Sequence, residues 1–300
     1  MGLVINEKAF HLAGIVPLAG QPLDFELDWH DSLMPIAPNY TAAESAVVEC
    51  AWAGCETIWI VCHHKMAPLI RHRIGEYVND PVYLGRKFDP RPSESRKLIP
   101  IFYVPIGSGD EGKRDGLPWS IIYGAHISNK VSSGISRWTS PDAYYVSFPY
   151  GIYPPDSLRD HRKKLSSGRE VYLSYDGETV ANGKYLGFAF TGRNLGKMKR
   201  IFKEMSTNLY LKGTNEKLSP EKRYSGRFLT ISDIVKGVAS EQAHFIDLPW
   251  YYATDSWESY CDFLSSGERH TIKRPSKQLL SYKECNPIGH DEFKGGEQDG

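Results

Sequence analysis

A chain of 300 residues with 41% hydrophobic and 24% charged side chains can bury a sizeable core, as one large domain or two smaller ones, and has an ordinary globular composition. Its 36 basic and 36 acidic residues cancel, so no global field draws in nucleic acid or an acidic membrane surface. No uncharged apolar run is long enough to span a bilayer.

The opening MGLVINEKAFHLAG (1–14) lacks a basic n-region and a long apolar run, so no signal peptide is expected; Asn6 stands where a myristoylation motif wants Ser or Thr. AGIVPLAG (13–20) reads as a buried strand running into a small-residue loop. WHDSLMPI (29–36) follows, then a helix over 41–54, opened by a Thr41–Glu44 capping box and ended by Gly54. ETIWIVC (56–62) closes a strand–loop–helix–strand unit, an arrangement suited to a nucleotide at the strand ends.

MAPLIRHRIGEYV (66–78) places Met66, Leu69, Ile70, Ile74, Tyr77 and Val78 on one helical stripe. KLIPIFYVPI (97–106) is β-rich despite Pro100, a short helix covers 117–128, and AYYVSF (143–148) is another strand. Pro154 and Pro155 open a helix over 156–165, with Arg159, Arg162, Lys163 and Lys164 as its wet face. A strand at 184–190, a helix at 195–205 and a helix at 232–239 with Ser232 as N-cap come next. A strand at 244–248 and a helix at 256–264, N-capped by Asp255, complete the ordered part. Strands separated by helical crossovers predict an α/β fold, a three-layer α/β/α arrangement around a mainly parallel, mixed sheet. Residues 206–228 are a polar surface excursion, and the polar stretch beyond Gly267 is expected to add no core.

Five cysteines, at 50, 55, 62, 261 and 285, are odd in number and match no zinc spacing. Cys50, Cys55 and Cys62 fall on core elements as small hydrophobes, which suits a reducing, cytoplasmic setting.

Several stretches carry a resemblance. PLAG (17–20) is similar to the start of an LAAGxGTR loop, LMPI (33–36) to a PKxLLPV segment, and 44–77 to the helix–Gly–strand–helix course that follows. GKRDGLPWSIIYGA (112–125) sits where a GTADAL loop and helix would be, and WYYATDSWESYCDF (250–263) where W-x-D-x-G-T-P-E-x-Y would be. Together, over roughly 13–265, the chain resembles the sugar-1-phosphate nucleotidyltransferases, transferases of the GT-A-like, Rossmann-related class. The resemblance implies a nucleotidyltransferase-like domain over 1–265, and the polar composition of 266–300 implies a flexible tail. It also implies transfer of a nucleotidyl group from a nucleoside triphosphate to a sugar phosphate, with Mg²⁺ as cofactor.

That reaction is catalysed by neutralising and positioning phosphate charge, and here the pattern departs from the family. The first loop continues as GQPLDFELDW without arginine, and Asp31-Ser32 stands at the family's lysine. VSFPYG (146–151) and Ala253 stand where metal-binding aspartates belong. The active site therefore reads as degenerate and catalysis as impaired; the competing class is a non-catalytic binding, structural or assembly protein that keeps the fold.

The resemblance puts Leu18, Ala19, Gly20 and Gln21 around the phosphates, with Lys65, Lys113 and Asp115 as further nucleotide contacts. Lys65 reads equally as part of an exposed turn after His63-His64, and Lys113-Arg114-Asp115 as a solvated charged loop. Asp24, Asp31 and Asp247 are the metal candidates, and Asp24, Asp28, His30 and Asp31 read also as loop surface and capping. Clustered aromatics at 144–153 and 250–257 exceed what alternate packing of a strand uses, and point to a stacking pocket for a base or sugar, or to a protein or homo-oligomer interface. A nucleotide or sugar nucleotide is the expected ligand; nucleic acid and membrane are not expected.

Overall fold

The computed structural model describes residues 10–20, 27, 29–84, 98–135, 139–206, 210, 213–219, 223, 225–240, 242–276 and 279–280. In chain order the strands are β1 (Leu12–Pro17), β2 (Pro35–Ala37), β3 (Tyr40–Thr41), β4 (Thr57–Cys62), β5 (Tyr77–Asn79), β6 (Leu98–Pro105), β7 (Ala143–Val146), β8 (Gly151–Ile152), β9 (Val171–Ser174), β10 (Phe188–Thr191), β11 (His244–Asp247) and β12 (Tyr252–Ala253). The helices are α1 (Ala42–Ala53), α2 (Ala67–Ile74), α3 (Pro81–Leu84), α4 (Leu117–Ile135), α5 (Arg162–Leu165), α6 (Gly192–Ser206), α7 (Ile231–Val235) and α8 (Trp257–Ser265).

Eight strands form one mixed, mostly parallel sheet in the order β11-β9-β10-β7-β1-β4-β6-β5. β1 runs parallel to β4 and β7, β4 to β6, and β11 to β9. β10 runs against both β7 and β9, and β5 runs against β6. Helices cover both faces, as the alternation of strands and crossovers predicts. Period-two side-chain alternation splits β1 between the two cores: Leu12 and Val16 pack with α1, Ala13 and Ile15 toward α4. No helix of the described residues is long and apolar enough to cross a membrane.

Helix α1 begins as its sequence dictates. Thr41 Oγ1 accepts the Glu44 N–H, Glu44 Oε2 accepts the Thr41 N–H, and Gly54 ends the helix at φ 87°. Cys50, Cys55 and Cys62 are buried as thiols.

Other boundaries differ from expectation. The helical stripe over 66–78 breaks at Gly75, which takes φ 93°, and Val78 then pairs with Ile99 in β5 rather than continuing a helix. Helix α4 runs on to Ile135, seven residues past the expected end. Thr230 rather than Ser232 opens α7, in a capping box with Asp233, and Ser256 rather than Asp255 caps α8. Strand β9 was not anticipated; VYLS is a four-residue run, too short for periodicity to register.

Three packing expectations are corrected. Arg162 is not part of a wet helix face: it points inward, where its fork grips Asp80 at 2.8 and 3.0 Å and its Nε donates to the Trp52 carbonyl at 2.8 Å. Beyond Gly267 the chain does add core, since Ile272, Leu279 and Leu280 are buried with the α1 cluster. The aromatics at 144–153 are not half spare. Because β7 is central and covered on both faces, Tyr144 and Tyr145 are buried together, as are Phe148, Tyr150, Tyr153 and Tyr251. Trp257, at 55% exposure, stays at the surface.

Helix α4 lies tight on β1 and β4 through Gly124, where an added Cβ would stand 2.7 Å from Val61 Cγ2 and 3.0 Å from Ile15 Cγ2. Gly124→Ala is expected to destabilise by about 1–3 kcal/mol although alanine is the better helix former, because the clash outweighs the propensity gain. Urea unfolding checks this; an equal or raised midpoint would refute the close approach.

Candidate functional site

The carboxyl ends of β1, β4, β6 and β7 lie on one side of the sheet, where parallel sheets form their ligand crevice. Its floor is the turn after β1. The Leu18 and Ala19 N–H groups both donate to the Val61 carbonyl, at 2.7 and 2.8 Å, and the Ala19 carbonyl accepts from Ser120 Oγ at 2.6 Å. Leu18 and Ala19 are thus fully buried and hydrogen-bonded to protein, and Gly20 is the first residue of the loop to reach solvent. Gln21 and Asp24, with Asp28, lie outside the described residues.

One wall is the 3-10 turn at Asp31–Leu33, with His30 as its cap. The His30 Nδ1 accepts the Ser32 N–H at 3.2 Å and stands 2.7 Å from Ser32 Oγ, and the ring also hydrogen-bonds the Leu18 backbone. Burial holds the imidazole below its ordinary pKa; the Asp31 charge opposes this and His63, across the crevice at the end of β4, adds to it. Asp31 is buried.

The opposite wall follows β7. Burial raises the Tyr150 hydroxyl, and the charges of Asp31 and Tyr185 raise it further. Tyr150 and Tyr185 meet edge to face at 5.5 Å. Strand β12 pairs against β8, bringing Ala253 opposite Gly151 and the Thr254 N–H onto the Tyr150 carbonyl at 2.8 Å. The closing segment therefore returns to the strand end, but what it meets there is Ser147, Phe148, Pro149 and Tyr150, with no carboxylate among them. The acids around it are Glu49, beside Ser147, Asp31, whose charge reaches Tyr150, and Asp255, whose charge reaches Tyr185 and Tyr251.

Lys65 and Lys113 are exposed on the rim, Lys65 in the turn after β4 and Lys113 in the loop after β6. Asp115 faces inward instead: it is buried, accepts the Gly112 N–H at 2.8 Å and pairs with Arg227 at 2.8 Å, which fixes the Lys113 loop. Asp247 ends β11, three strand positions from β7 and so roughly 14 Å away; it accepts the Ser174 hydroxyl proton at 2.5 Å. The structure thus gathers Leu18, Ala19, Gly20 and Asp31 at one place, sets Lys65 and Lys113 around it, and leaves Asp247 apart. Among the described residues no three His, Cys, Asp or Glu side chains converge as a metal site.

Sequence reasoning missed a polar cluster beneath the crevice. Glu49, on the buried face of α1, accepts the hydroxyl protons of Tyr145 at 2.5 Å and Tyr153 at 2.6 Å on a single oxygen, and Tyr153 in turn accepts the Gly187 N–H at 3.2 Å. Burial pushes the Glu49 carboxyl up to about 7, although the tyrosine and Ser147 hydroxyls beside it pull the other way. A glutamate amid Val47, Val48, Cys50 and Ala51 was the available signal.

Solved structures share this architecture. A Bacillus anthracis protein assigned as a glucose-1-phosphate thymidylyltransferase, in complex with a sucrose, aligns with a TM-score of 0.53 at 10% identity, over 90% of this chain and 98% of that one. UTP-bound UGPase from Acinetobacter baumannii aligns with a TM-score of 0.50 at 12% identity, over 90% of this chain and 96% of that one. At such identities the likeness is one of fold: the chain has a nucleotidyltransferase-like α/β fold. No protein-family model matches the chain, and no curated protein matches it in sequence.

Proposed function

We propose that the chain binds a nucleotide or sugar nucleotide in this crevice and is impaired in transferring a nucleotidyl group from a nucleoside triphosphate to a sugar phosphate. The observation that carries the reading is the turn after β1, where the Leu18 and Ala19 N–H groups are spent on Val61 and the only loop residue turned to solvent before residue 21 is Gly20. Transfer needs cations held against the phosphates as charge develops. Here the basic group beside the turn is the half-buried His30, whose lowered pKa favours the neutral ring, while Lys65 and Lys113 stand exposed at the rim.

Those lysines and Gly20 would meet a polyphosphate, and Asp115 would hold the Lys113 loop rather than touch the ligand. A bound Mg²⁺ would supply charge neutralisation at the phosphorus, but the described donors do not fit one, since no three His, Cys, Asp or Glu side chains converge among the described residues and Asp247 lies strands away. No step is therefore derived through a metal. The second reading, a structural or assembly protein on the same fold, is favoured by the exposed rings of Phe228, Phe245 and Trp257.

Thermal-shift titration with UTP, dTTP, ATP and UDP-glucose, with and without Mg²⁺, tests the proposal alongside a pyrophosphate-release assay. A ligand at 100 times its Kd should add about 2.7 kcal/mol of stability, Lys65→Ala and Lys113→Ala should weaken that shift, and no pyrophosphate should appear above background. Absence of any shift would remove the binding claim and leave the assembly reading; turnover with a sugar phosphate would overturn the impairment.

A further inference from the structure

On the face of the sheet that carries α4, a cavity of about 500 Å³ lies between α4 and α6. The inner side of α4 is committed to the sheet, where Ser120, Ile121, Gly124 and Ala125 are buried. Trp119, Tyr123 and His126 recur at helical spacing on its other side, and Lys199, Phe202 and Lys203 do the same on α6. Two helices that pack only for stability fill such facing stripes with aliphatic side chains; these two carry rings and cations and leave a void.

The rings make a wall. Trp119 stacks on Tyr123 at 6.1 Å and 22° and leans on Phe202 at 5.1 Å, while its indole N–H donates to Asp110 at 3.2 Å, which fixes its orientation. The cations make a rim. Arg114 sits 5.4 Å over the Trp119 ring and makes only a loose ion pair with Asp110, at 3.7 Å. Lys199 Nζ stands 2.9 Å from His126 Nδ1, one basic group donating to another. Partial burial lowers the pKa of both, and the lysine charge lowers that of the histidine further. Among the described residues, no carboxylate lines the cavity.

We propose that this cavity is a second ligand site, separate from the strand-end crevice, and that it takes an aromatic ring bearing an anionic group such as a phosphate or carboxylate. The ring inserts against Trp119 and Phe202, where stacking and burial act together. The anion meets Lys199 and Arg114, whose charges are otherwise only partly compensated.

Calorimetric titration of the full chain with 1-naphthyl phosphate, against 1-naphthol and inorganic phosphate as comparators, reads the site directly. The naphthyl phosphate should bind saturably and at least tenfold more tightly than either comparator. Lys199→Met and Trp119→Leu should each weaken it at least tenfold, while Lys65→Ala, at the other site, should leave it unchanged. Equal binding of inorganic phosphate would reduce the feature to surface charge and overturn the proposal. So would an undiminished affinity in a folded Lys199→Met variant, or a loss of binding in Lys65→Ala, which would place the ligand at the strand ends.

Discussion

Glu49→Gln is expected to flatten the pH dependence of stability between about pH 4.5 and pH 8, by roughly 3 kcal/mol over that window. Burial pushes the folded carboxyl up to about 7, against an ordinary 4.5 when solvated. Because the folded pKa is the higher one, the native state holds a proton that the unfolded chain has released. Its stabilising effect is complete below pH 4.5 and is lost as pH rises through 7. At 1.36 kcal/mol per pKa unit this amounts to roughly 3 kcal/mol. Glutamine cannot ionise but keeps an oxygen for the Tyr145 and Tyr153 hydroxyls, so the variant should give nearly the same urea midpoint at pH 5 and pH 8, after the common drift of other groups is subtracted. Parallel pH profiles for parent and variant would show that Glu49 does not titrate in this range. Glu49→Leu is the harsher change, since it strands two buried hydroxyls at about 1–3 kcal/mol each.

Removing Arg162 should cost more. Its guanidinium joins three elements: it pairs in a fork with Asp80, which is 1% exposed and caps α3 through the Val82 N–H at 2.9 Å, and it donates to the Ala51 and Trp52 carbonyls at the end of α1. Arg162→Ala leaves a buried carboxylate uncompensated and two helix-end carbonyls short of donors, and breaking such a pair from one side typically costs about 3–5 kcal/mol. Arg162→Lys keeps the charge without the planar fork and should fall between. Asp80→Ala in the Arg162→Ala background should recover part of the loss, because the lone charge is then gone. Chemical unfolding of the three variants is the check; a loss below 1 kcal/mol in Arg162→Ala would mean that water replaces the guanidinium at little cost.

Arg162 also shows where sequence reasoning stops. In DSLRDHRKKL it is one cation among four, and nothing local separates it from Arg159, Lys163 or Lys164; its partner Asp80 lies 82 residues away. The features that were legible are those that short-range chemistry fixes. The Thr41–Glu44 box, the Gly54 terminator and the apolar strand of 56–62 each depend on neighbours within a few residues, and each stands as read. The mixed, mostly parallel sheet followed from the order of strands and crossovers.

For the site, PLAG marked the turn after β1, since a small-residue loop after a buried strand leaves few alternatives. The inward turn of Asp115 and the remoteness of Asp247 could not be read, because one depends on Arg227 and the other on the position of β11 in the sheet. The aromatic surplus misled for a related reason. Alternation allots one face of a strand to the core only if the other face meets water, and β7 has no such face.

Strand β5 is closed on its outer side by the far end of the chain, with Val78 bridged to Leu280 and the Asn79 N–H donating to the Leu279 carbonyl at 2.9 Å. On a ribosome the two halves of that seam emerge some 200 residues apart. At about 5–20 residues per second, a nascent chain would carry an unfinished hem for roughly 10–40 s. During that interval bare backbone amides and carbonyls would be open to any passing strand.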